Sequence, residues 1–320
     1  MSDPIASIVS LLEPLPGFTK LVVGNGSWLV KREEVGRPFC CAVLDGSFNF
    51  AVPELDTITL SAGDFVLVPF AREFQTFSLD RSRCDRMTSS PIEIEPSVYR
   101  VGDGRDEPNM RHLIGYGIFA SDDAELLASL LPPVIHIRGD PRLTTLLQLI
   151  DDETRTPRPA RTSVLTRLLE LVMIESLRAA TGLHAPPGLL RGLADERLSR
   201  ALRAIHLSPG HAWTVERLAS EAGLSRSAFF SRFGRMIDMT PMEYSLHWRM
   251  LTAKTMILEK SILEVAEHVG YRSASTFGTA FAKYTGRSPR AFRQERLLRV
   301  RDSVAETPEP IASELGSAIA

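Results

Sequence analysis

Hydrophobic and polar residues alternate over short stretches in the first third of the chain. Residues 39–44 form a brief apolar run, Asp45-Gly46 follows, and residues 47–52 alternate between polar and apolar. Alternation of this kind predicts strands with one buried face, and an Asp-Gly pair between two such runs predicts a tight hairpin turn. Further short strands, separated by turn residues, follow up to about residue 120. This part of the chain is therefore predicted to form a β-sandwich or a small β-barrel.

Helical periodicity replaces the alternation from about residue 122. Short helices are predicted over 122–131 and 141–152, the second with Asp140 as its N-cap, and a longer helix is predicted over 161–180. The long helix carries an apolar stripe, which either packs on its own domain or pairs two subunits. We favour the dimer helix, because the first half of the chain offers no other evident way to pair subunits. The stripe consists of Leu165, Leu168, Leu169, Val172, Met173 and Leu177.

Composition narrows the class of protein. The chain has 320 residues, of which 44% are hydrophobic and 24% are charged, as in globular proteins. No apolar run approaches the ~18 residues that a membrane span needs, and the first residues do not resemble a secretory signal. The three cysteines are too few for a disulfide framework, so we expect reduced thiols in the cytoplasm.

Charge divides the chain into two halves. Residues 191–300 carry 18 Lys and Arg residues against 10 Asp and Glu residues, a formal charge of +8. Residues 1–190 carry 18 against 25, a formal charge of −7, and the whole chain carries −2. A basic segment beside an acidic one is typical of a nucleic-acid-binding domain attached to a separate partner domain. The Pro- and Gly-rich residues 181–188 are predicted to link the two.

The basic half contains an internal duplication. Residues 214–225 resemble residues 261–271, and both segments are followed by a pair of phenylalanines four positions apart. In each unit a glycine ends the first predicted helix, a serine is placed to cap the second, and the phenylalanine pair anchors the second helix in a core. One face of each second helix is then free to enter a major groove, as in a helix-turn-helix motif. The matched pairs are Gly223 and Gly270, Ser225 and Ser273, Phe229 and Phe277, and Phe233 and Phe281.

Short motifs across this half match one known family. They are Trp213-Thr214-Val215, Gly223 to Ser227, Trp248-Arg249-Met250, Val269-Gly270-Tyr271 and the closing segment from Phe281 to Arg293. Residues 195–295 thereby resemble the DNA-binding domain of AraC/XylS-type transcription regulators. The resemblance implies two helix-turn-helix motifs joined by one long helix, expected here over residues 241–259. That helix would set the two recognition helices about one DNA turn apart on one face of the duplex.

The resemblance also implies which residues touch DNA. The family's base-contacting positions fall on Arg226, Ser227, Phe230 and Ser231 in the first motif and on Ala274, Ser275, Gly278 and Thr279 in the second. Only Arg226 offers a bidentate contact to guanine, and the short Ala274 and Gly278 favour little direct base readout by the second motif. We interpret Arg232, Arg272 and Lys283 as phosphate contacts, which position a protein on DNA without specifying sequence.

The acidic half resembles a second kind of domain. Residues 62–69 (Ala-Gly-Asp-Phe-Val-Leu-Val-Pro) and 130–136 (Leu-Leu-Pro-Pro-Val-Ile-His) are similar to cupin-like sensor domains attached to some AraC-type regulators. Enzymatic cupins hold a metal through a His-x-His pair, a Glu and a later His, and here His112 and His136 each stand alone. We therefore expect no metal, no cofactor and no catalytic residues, and a small-molecule effector held in the mouth of the barrel.

The cysteines suggest one alternative. Cys84 follows Arg81 and Arg83 and precedes Arg86. Positive neighbours lower the pKa of a thiol and so increase the fraction of reactive thiolate. One interpretation is therefore that Cys84 senses oxidants. The other interpretation is an incidental loop thiol, with Cys40 and Cys41 packed in a strand as small hydrophobic residues.

The combined prediction is an α+β protein: a cytoplasmic, non-enzymatic transcription regulator that binds double-stranded DNA. We expect a homodimer that acts on RNA polymerase, as an activator or a repressor. The competing interpretations are a catalytic cupin with a DNA-binding appendage and a pure interaction protein. The expected domains are a cupin-like β-barrel sensor over 1–140, a helical dimerisation connector over 141–182, a linker over 183–194, a double helix-turn-helix over 195–299 and a disordered tail over 300–320.

Overall fold

The chain folds into two compact units. In a computed structural model, one unit comprises Met1–Leu207 with Val215–Pro241, and the other comprises Ser208–Thr214 with Met242–Ala320. No helix in the described part of the chain has the length and apolarity needed to cross a membrane. The structure describes residues 3–80, 89–102, 107–119, 121, 124–156, 158–182 and 185–305.

A single mixed sheet dominates the first unit. Its strands are β1 (Pro14–Gly24), β2 (Leu29–Asp45), β3 (Ser47–Ala51), β4 (Ile58–Ser61), β5 (Phe65–Phe77), β6 (Ile92–Glu95), β7 (Val98–Val101), β8 (Met110–Phe119) and β9 (Ile135–Ile137). The spatial order is β4-β3-β5-β2-β8-β1-β7-β6, and β9 pairs with β5. Among the described strands, β1 pairs with β7 in parallel and the other pairings are antiparallel.

The sheet rolls around one apolar core. In a flat sheet β3 and β8 would lie about 14 Å apart, because two strands separate them and neighbouring strands are ~4.8 Å apart. Instead the ring centroids of Phe48 on β3 and His112 on β8 are 4.6 Å apart. Buried side chains of β1 to β5, β7 and β8 share one core cluster. The predicted α+β class and the cupin-like rolled sheet are therefore confirmed.

The Asp45-Gly46 pair makes a turn but not the predicted hairpin. Gly46 has φ +72°, as a tight turn requires, yet β3 pairs with β4 and β5 while β2 pairs with β5 and β8. The strands on either side of the turn thus join different neighbours as the sheet rolls. A Cβ at Gly46 would overlap the carbonyl oxygen of Asn109, so the turn also needs glycine for space.

The helices that accompany the sheet in the described residues are α1 (Pro4–Leu12), α2 (Ala124–Ser129), α3 (Pro141–Arg155) and α4 (Arg161–Ala179). The side chain of Asp140 caps α3 by accepting from the backbone N–H of Arg142, as predicted. Helix α1, capped by Asp3, was not predicted.

The apolar stripe of α4 is used inside its own domain. Leu165, Leu169, Val172, Met173 and Leu177 are buried, and α4 packs on α1, α3 and β1. Leu168 is half-buried. The interpretation of this stripe as a dimer surface is therefore wrong, because a side chain already enclosed by its own fold has no apolar area left for a partner.

The helices described between residues 185 and 305 are α5 (Leu189–Ala194), α6 (Glu196–Leu207), α7 (Val215–Glu221), α8 (Arg226–Ile237), α9 (Pro241–Glu259), α10 (Ile262–His268), α11 (Ala274–Thr285) and α12 (Pro289–Ala305). The bounds of α9 match the predicted long helix. Helix α5 occupies half of the predicted linker, and α12 continues to Ala305, into the segment predicted to be disordered. Residues 306–320 lie outside the described residues.

Candidate nucleic-acid interface and ligand cavity

Helix α8 is anchored on one face and exposed on the other. The hydroxyl of Ser225 accepts from the backbone N–H of Ala228 and caps the helix. Phe229 and Phe233 are fully buried, with ring centroids 5.5 Å apart. Because successive helical positions rotate by about 100°, the residues between these anchors face outward.

The four predicted base-contacting residues of the first motif lie on that outward face. Arg226, Ser227, Phe230 and Ser231 are all exposed, and Phe230 shows solvent almost half of its surface. The guanidinium of Arg226 pairs with Glu216 of α7 at 2.7 Å, and both side chains are mostly exposed. An exposed ion pair contributes only about 0–1 kcal/mol, so Glu216 positions Arg226 without withholding it from another partner.

Helix α11 repeats the arrangement with smaller side chains. Ser273 caps it by accepting from the N–H of Thr276, and Phe277 and Phe281 are fully buried. On the opposite face, Ser275 and Thr279 are exposed, and the Thr279 hydroxyl donates to the carbonyl of Ser275. Ala274 and Gly278 are half-buried. This face therefore presents two hydroxyls and little else that reads bases.

The three predicted phosphate contacts have different surroundings. Arg272 and Lys283 are exposed on the second motif. Arg232 instead directs its guanidinium at the carboxylate of Asp195, with Nε 2.7 Å from Oδ2. The Asp195 side chain is only 2% exposed, whereas that of Arg232 is 42% exposed. Arg232 is thus held within the protein by a charge-assisted hydrogen bond.

Asp195, the residue that follows α5, connects the start of α6 to α8. Its Oδ1 accepts from the backbone N–H groups of Arg197 and Leu198 at the start of α6, and its Oδ2 accepts from Arg232 of α8. Burial raises the pKa of this carboxyl, but the hydrogen bonds from Leu198 and Arg232 outweigh it, so the pKa is lowered overall. The sequence did not suggest the bond to Arg232, because Arg232 lies 37 residues along the chain from Asp195.

The turn glycines of the two motifs differ in their surroundings. Gly223 and Gly270 both have positive φ, +62° and +81°, as predicted for residues that end a helix. Among the described residues other than its chain neighbours, none has an atom within 4 Å of a Cβ built on Gly223. A Cβ on Gly270 would overlap the carbonyl oxygen of Gly210, so the second turn is packed backbone against backbone.

Helix α5 joins the sheet domain to the first helix-turn-helix motif within the first unit. The N–H of Leu189 donates to the carbonyl of Leu130 at the end of α2, 3.0 Å away. The N–H of Gly188 donates to the carbonyl of Met236 in the last turn of α8, 2.9 Å away. Adjacent backbone groups therefore bond to the sensor side and to the predicted recognition helix.

A cavity opens inside the rolled sheet, with an empty volume of about 430 Å³ that includes the solvent at its open end. The lining side chains come from β1, β2, β5, β7 and β8, with Trp28 and Pro91 beside them. They are Lys20, Val22, Trp28, Val30, Arg32, Phe74, Thr76, Pro91, Tyr99, Val101, His112, Ile114 and Tyr116.

Lys20 and Arg32 bring positive charge to this cavity. Lys20 is 7% exposed, and its ammonium lies 4.7 Å from the centroid of the Tyr99 ring. Burial, with the nearby Arg32, lowers the pKa of Lys20 to about 8, although Glu34 and Glu93 act in the opposite direction. The sequence did not identify these residues, because β2, β8, β1 and β7 are consecutive in the sheet although they are far apart along the chain.

Burial keeps the side chains of His112, Cys40 and Cys41 in the sheet domain in their neutral forms. Burial lowers the pKa of His112 to about 3, so its ring is neutral, and it raises the pKa of the Cys40 thiol to about 12. The pKa of Cys41 is raised as well. Both cysteines are therefore unreactive thiols, as thiolates are the nucleophilic form. Cys84 lies outside the described residues.

His136 has a carboxylate partner that the sequence did not predict. Its Nε2 lies 3.1 Å from Oδ2 of Asp64. His136 is on β9, Asp64 immediately precedes β5, and these two strands pair with each other. Among the residues whose placement is described, no three His, Cys, Asp or Glu side chains converge as metal ligands would.

Two family models match the chain in consecutive segments. A model described as cupin matches residues 3–182, and a model described as helix-turn-helix domain matches residues 218–295. The cupin match thus includes α3 and α4, beyond the expected domain end at residue 140. The helix-turn-helix match begins inside α7 and ends inside α12.

Curated relatives match over nearly the whole chain. A putative AraC-like transcription regulator of Streptomyces antibioticus is 31% identical over 91% of this chain and 98% of its own length. A protein of the same description from Streptomyces lividans is 31% identical over the same shares. The crystallised DNA-binding domain of AdpA, solved with a target DNA, is 30% identical over 32% of this chain and 92% of that domain, with a TM-score of 0.29. From the family matches and the two full-length relatives, this chain belongs to the AraC-like transcription regulators that combine an N-terminal cupin domain with a C-terminal helix-turn-helix domain.

Proposed function

We propose that this regulator binds specific DNA sites through the first turns of α8 and α11, and that a small molecule in the cupin cavity controls this binding. The observation that carries the proposal is the two-faced character of both helices. In each, a buried phenylalanine pair fixes one face, and the opposite face is exposed beside a serine N-cap. Family membership supports DNA as the partner of that face, because AraC-type regulators bind DNA.

The base contacts fall to the two exposed faces. Arg226 supplies a bidentate contact to guanine, and Phe230 contacts a thymine methyl group. Ser227 and Ser231 bond to whichever base edges lie opposite, and in the second motif Ser275 and Thr279 do the same. Ala274 and Gly278 allow the backbone of α11 to approach the groove closely and add little discrimination.

The phosphate contacts are best served by Arg272 and Lys283, which are exposed on the second motif. Arg232 is a weaker candidate, because a phosphate contact would compete with its bond to the buried Asp195. Breaking this bond would leave the buried Asp195 carboxylate without its charged partner, which costs about 1–3 kcal/mol.

Control by a ligand requires a connection between cavity and DNA-binding helices. The start of α5 provides one, since the N–H of Leu189 bonds to Leu130, which follows α2, and the N–H of the preceding Gly188 bonds to Met236 of α8. A ligand that favours one arrangement of the cupin domain would shift the population in which α8 is correctly placed. The ligand changes the free-energy difference between the two arrangements by at most the difference between its binding free energies for them.

The remaining parts of the proposal concern partners and location. We place the protein in the cytoplasm as a homodimer that acts on RNA polymerase and carries no enzymatic activity. Since the α4 stripe is buried, the dimer uses another surface. Oxidant sensing by Cys84 remains a prediction, and replacement of Cys84 by serine would abolish any oxidant-dependent change in transcription of the target.

The test is binding of the purified full-length chain to fragmented genomic DNA of its source, followed by sequencing of the retained fragments at about 100 mM and about 300 mM salt. We expect discrete fragments that share one sequence pattern and persist at the higher salt. Retention without a shared pattern, lost at the higher salt, would show binding to phosphates alone and would overturn sequence-specific regulation.

A further inference from the structure

A loop packs backbone against backbone on the turn of the second helix-turn-helix motif. Residues 208–214 connect α6 to α7, yet they belong to the compact unit that contains α10 and α11. A Cβ on Gly210 would overlap the carbonyl oxygen of His268, and a Cβ on Gly270 would overlap that of Gly210. The loop and the turn between α10 and α11 are therefore in direct contact.

Arg249 holds this loop against α9. Its Nε donates to the carbonyl of Pro209, 3.2 Å away, and its Nη2 donates to the carbonyl of His211, 3.4 Å away. A guanidinium can bond to two carbonyls at once because it is planar and its N–H groups point in fixed directions. The two bonds lie on either side of Gly210, the residue that contacts the turn.

The same guanidinium also contacts the turn itself. Its Cζ lies 5.7 Å from the centroid of the Tyr271 ring, within the range of a cation–π contact. The Tyr271 ring lies 5.6 Å from the ring of Phe277, which anchors α11 in the core. Arg249 is thus linked to the start of α11 in two ways, through the loop and through an aromatic side chain.

The residue that follows Tyr271 is one of the proposed phosphate contacts. Arg272 is exposed, and the next residue, Ser273, caps α11. Ordering a loose turn when DNA binds would cost free energy, so an arginine on a fixed turn binds a phosphate more tightly. The bonds of Arg249 fix this turn before DNA binds.

We infer that Arg249 is a positioning residue for DNA binding by the second motif: it fixes the turn over residues 269–272 and so holds Arg272 in place for a phosphate, without contacting DNA itself. Arg249 is half-buried, and its guanidinium is already bonded within its own unit. The inference rests on the proposed function, since it explains how one of the proposed phosphate contacts is held.

The experiment measures how the affinity of the full-length chain for DNA changes with salt, on its preferred site and on a duplex of mixed sequence. Each phosphate contact adds about 0.9 to the slope of log affinity against log salt. Arg272→Ala and Arg249→Met should each reduce that slope by about one unit. The double variant should reduce it no further, because both substitutions remove the same contact. The preference for guanine that Arg226 supplies should stay within about twofold, because the first motif is unchanged.

Two further variants separate geometry from charge. Arg249→Lys keeps a positive charge beside Tyr271, but one ammonium cannot reproduce the planar fork that bonds to both carbonyls, so this variant should lose most of the slope that Arg249→Met loses. Lys260→Met is the matched control, because Lys260 is an exposed cation directly after the same helix, and it should leave the slope unchanged. Circular dichroism checks that each variant is folded, and Arg249→Lys carries the test if Arg249→Met is not.

The outcomes separate this inference from the proposed function. An unchanged slope in the folded Arg249 variants or in Arg272→Ala, or an equal fall in Lys260→Met, would overturn the positioning role. A slope lowered by about two units in the double variant would overturn it as well, because additive losses mean that Arg249 binds a phosphate of its own. Sequence-specific binding by the unchanged protein would stand in each case. An unchanged protein without a preferred site would overturn the proposed function, and a non-additive fall in slope on the mixed duplex would still support the role of Arg249.

Discussion

Surroundings decide whether an arginine of this protein is available to a nucleic acid. Arg226 and Arg232 lie six positions apart on α8, and both bond to a carboxylate. The partner of Arg226 is exposed, so the pair is weak and easily exchanged for DNA. The partner of Arg232 is buried, so the pair is part of the fold. Residue type alone does not distinguish these two roles.

Replacing Arg226 with alanine should relax the choice of one base. Loss of a bidentate contact to guanine costs about 1–3 kcal/mol at that position, and binding to other sequences changes less. The measurement is a competition assay with single-base variants of the preferred site. Arg235→Ala is the matched control, because Arg235 is exposed in the last turn of the same helix. An unchanged site preference in Arg226→Ala would reject the base contact.

Replacing Arg232 with alanine should affect the stability of the fold, whereas replacing Lys283 should affect the affinity for DNA. Arg232→Ala leaves Asp195 buried without its partner and should lower the free energy of unfolding by about 1–3 kcal/mol. Lys283→Ala should leave that free energy unchanged, weaken binding to all DNA sequences alike and reduce the salt slope by about one unit. Urea titration and DNA titration at several salt concentrations measure the two quantities. A stable Arg232→Ala protein with a reduced salt slope would instead assign Arg232 to a phosphate.

The residues on the outer faces of α8 and α11 could be predicted because their signals are local. Caps, phenylalanine pairs and turn glycines fix which side of α8 or α11 is buried. The cavity residues could not be predicted, because Lys20 and Arg32 meet only through the order of strands in the rolled sheet. The same limit applies to Asp195, whose bond to Arg232 spans 37 residues.

For whole elements too, features set by local sequence could be predicted, and features set by distant parts of the chain could not. Helix α9 has the predicted bounds, because Pro241 begins it and no residue within it interrupts the helix. The Asp45-Gly46 turn was correctly placed, but its strands do not pair with each other. Turn chemistry determines the local backbone, whereas pairing depends on which strands the rolled sheet brings together.

The two turn glycines give a prediction at this scale. Gly223→Ala should cost about 1–2 kcal/mol, the strain of placing a side chain at positive φ. Gly270→Ala bears the same strain and must also separate its turn from Gly210, which adds about 1–3 kcal/mol. Urea unfolding of both variants, followed by circular dichroism, measures the difference. Equal costs would contradict the close backbone packing in the second motif.

At the scale of the whole molecule, the two family matches agree with the division that charge indicates. The acidic residues 1–190 contain the cupin match, and the basic residues 191–300 contain the helix-turn-helix match. With this distribution of charge, the basic half attracts the phosphates of DNA and the acidic half is repelled by them. Composition is enough to predict this arrangement, because it depends on summed charge and not on the placement of any one side chain.

Buried histidines should make the molecule sensitive to mild acid. Burial lowers the pKa of His112 and of His206 to about 3, so below pH 6.5 the unfolded chain binds protons that the folded chain does not. The free energy of unfolding therefore has its full value above pH 6.5 and falls as the pH drops towards 3. Between pH 7.5 and 5.5 each histidine should lower the free energy of unfolding by about 1.4 kcal/mol. Urea titrations at both pH values measure the loss, and His112→Phe and His206→Leu should each remove one share of it. A loss of the same size in both variants and in the unchanged protein would show that other groups cause the acid sensitivity.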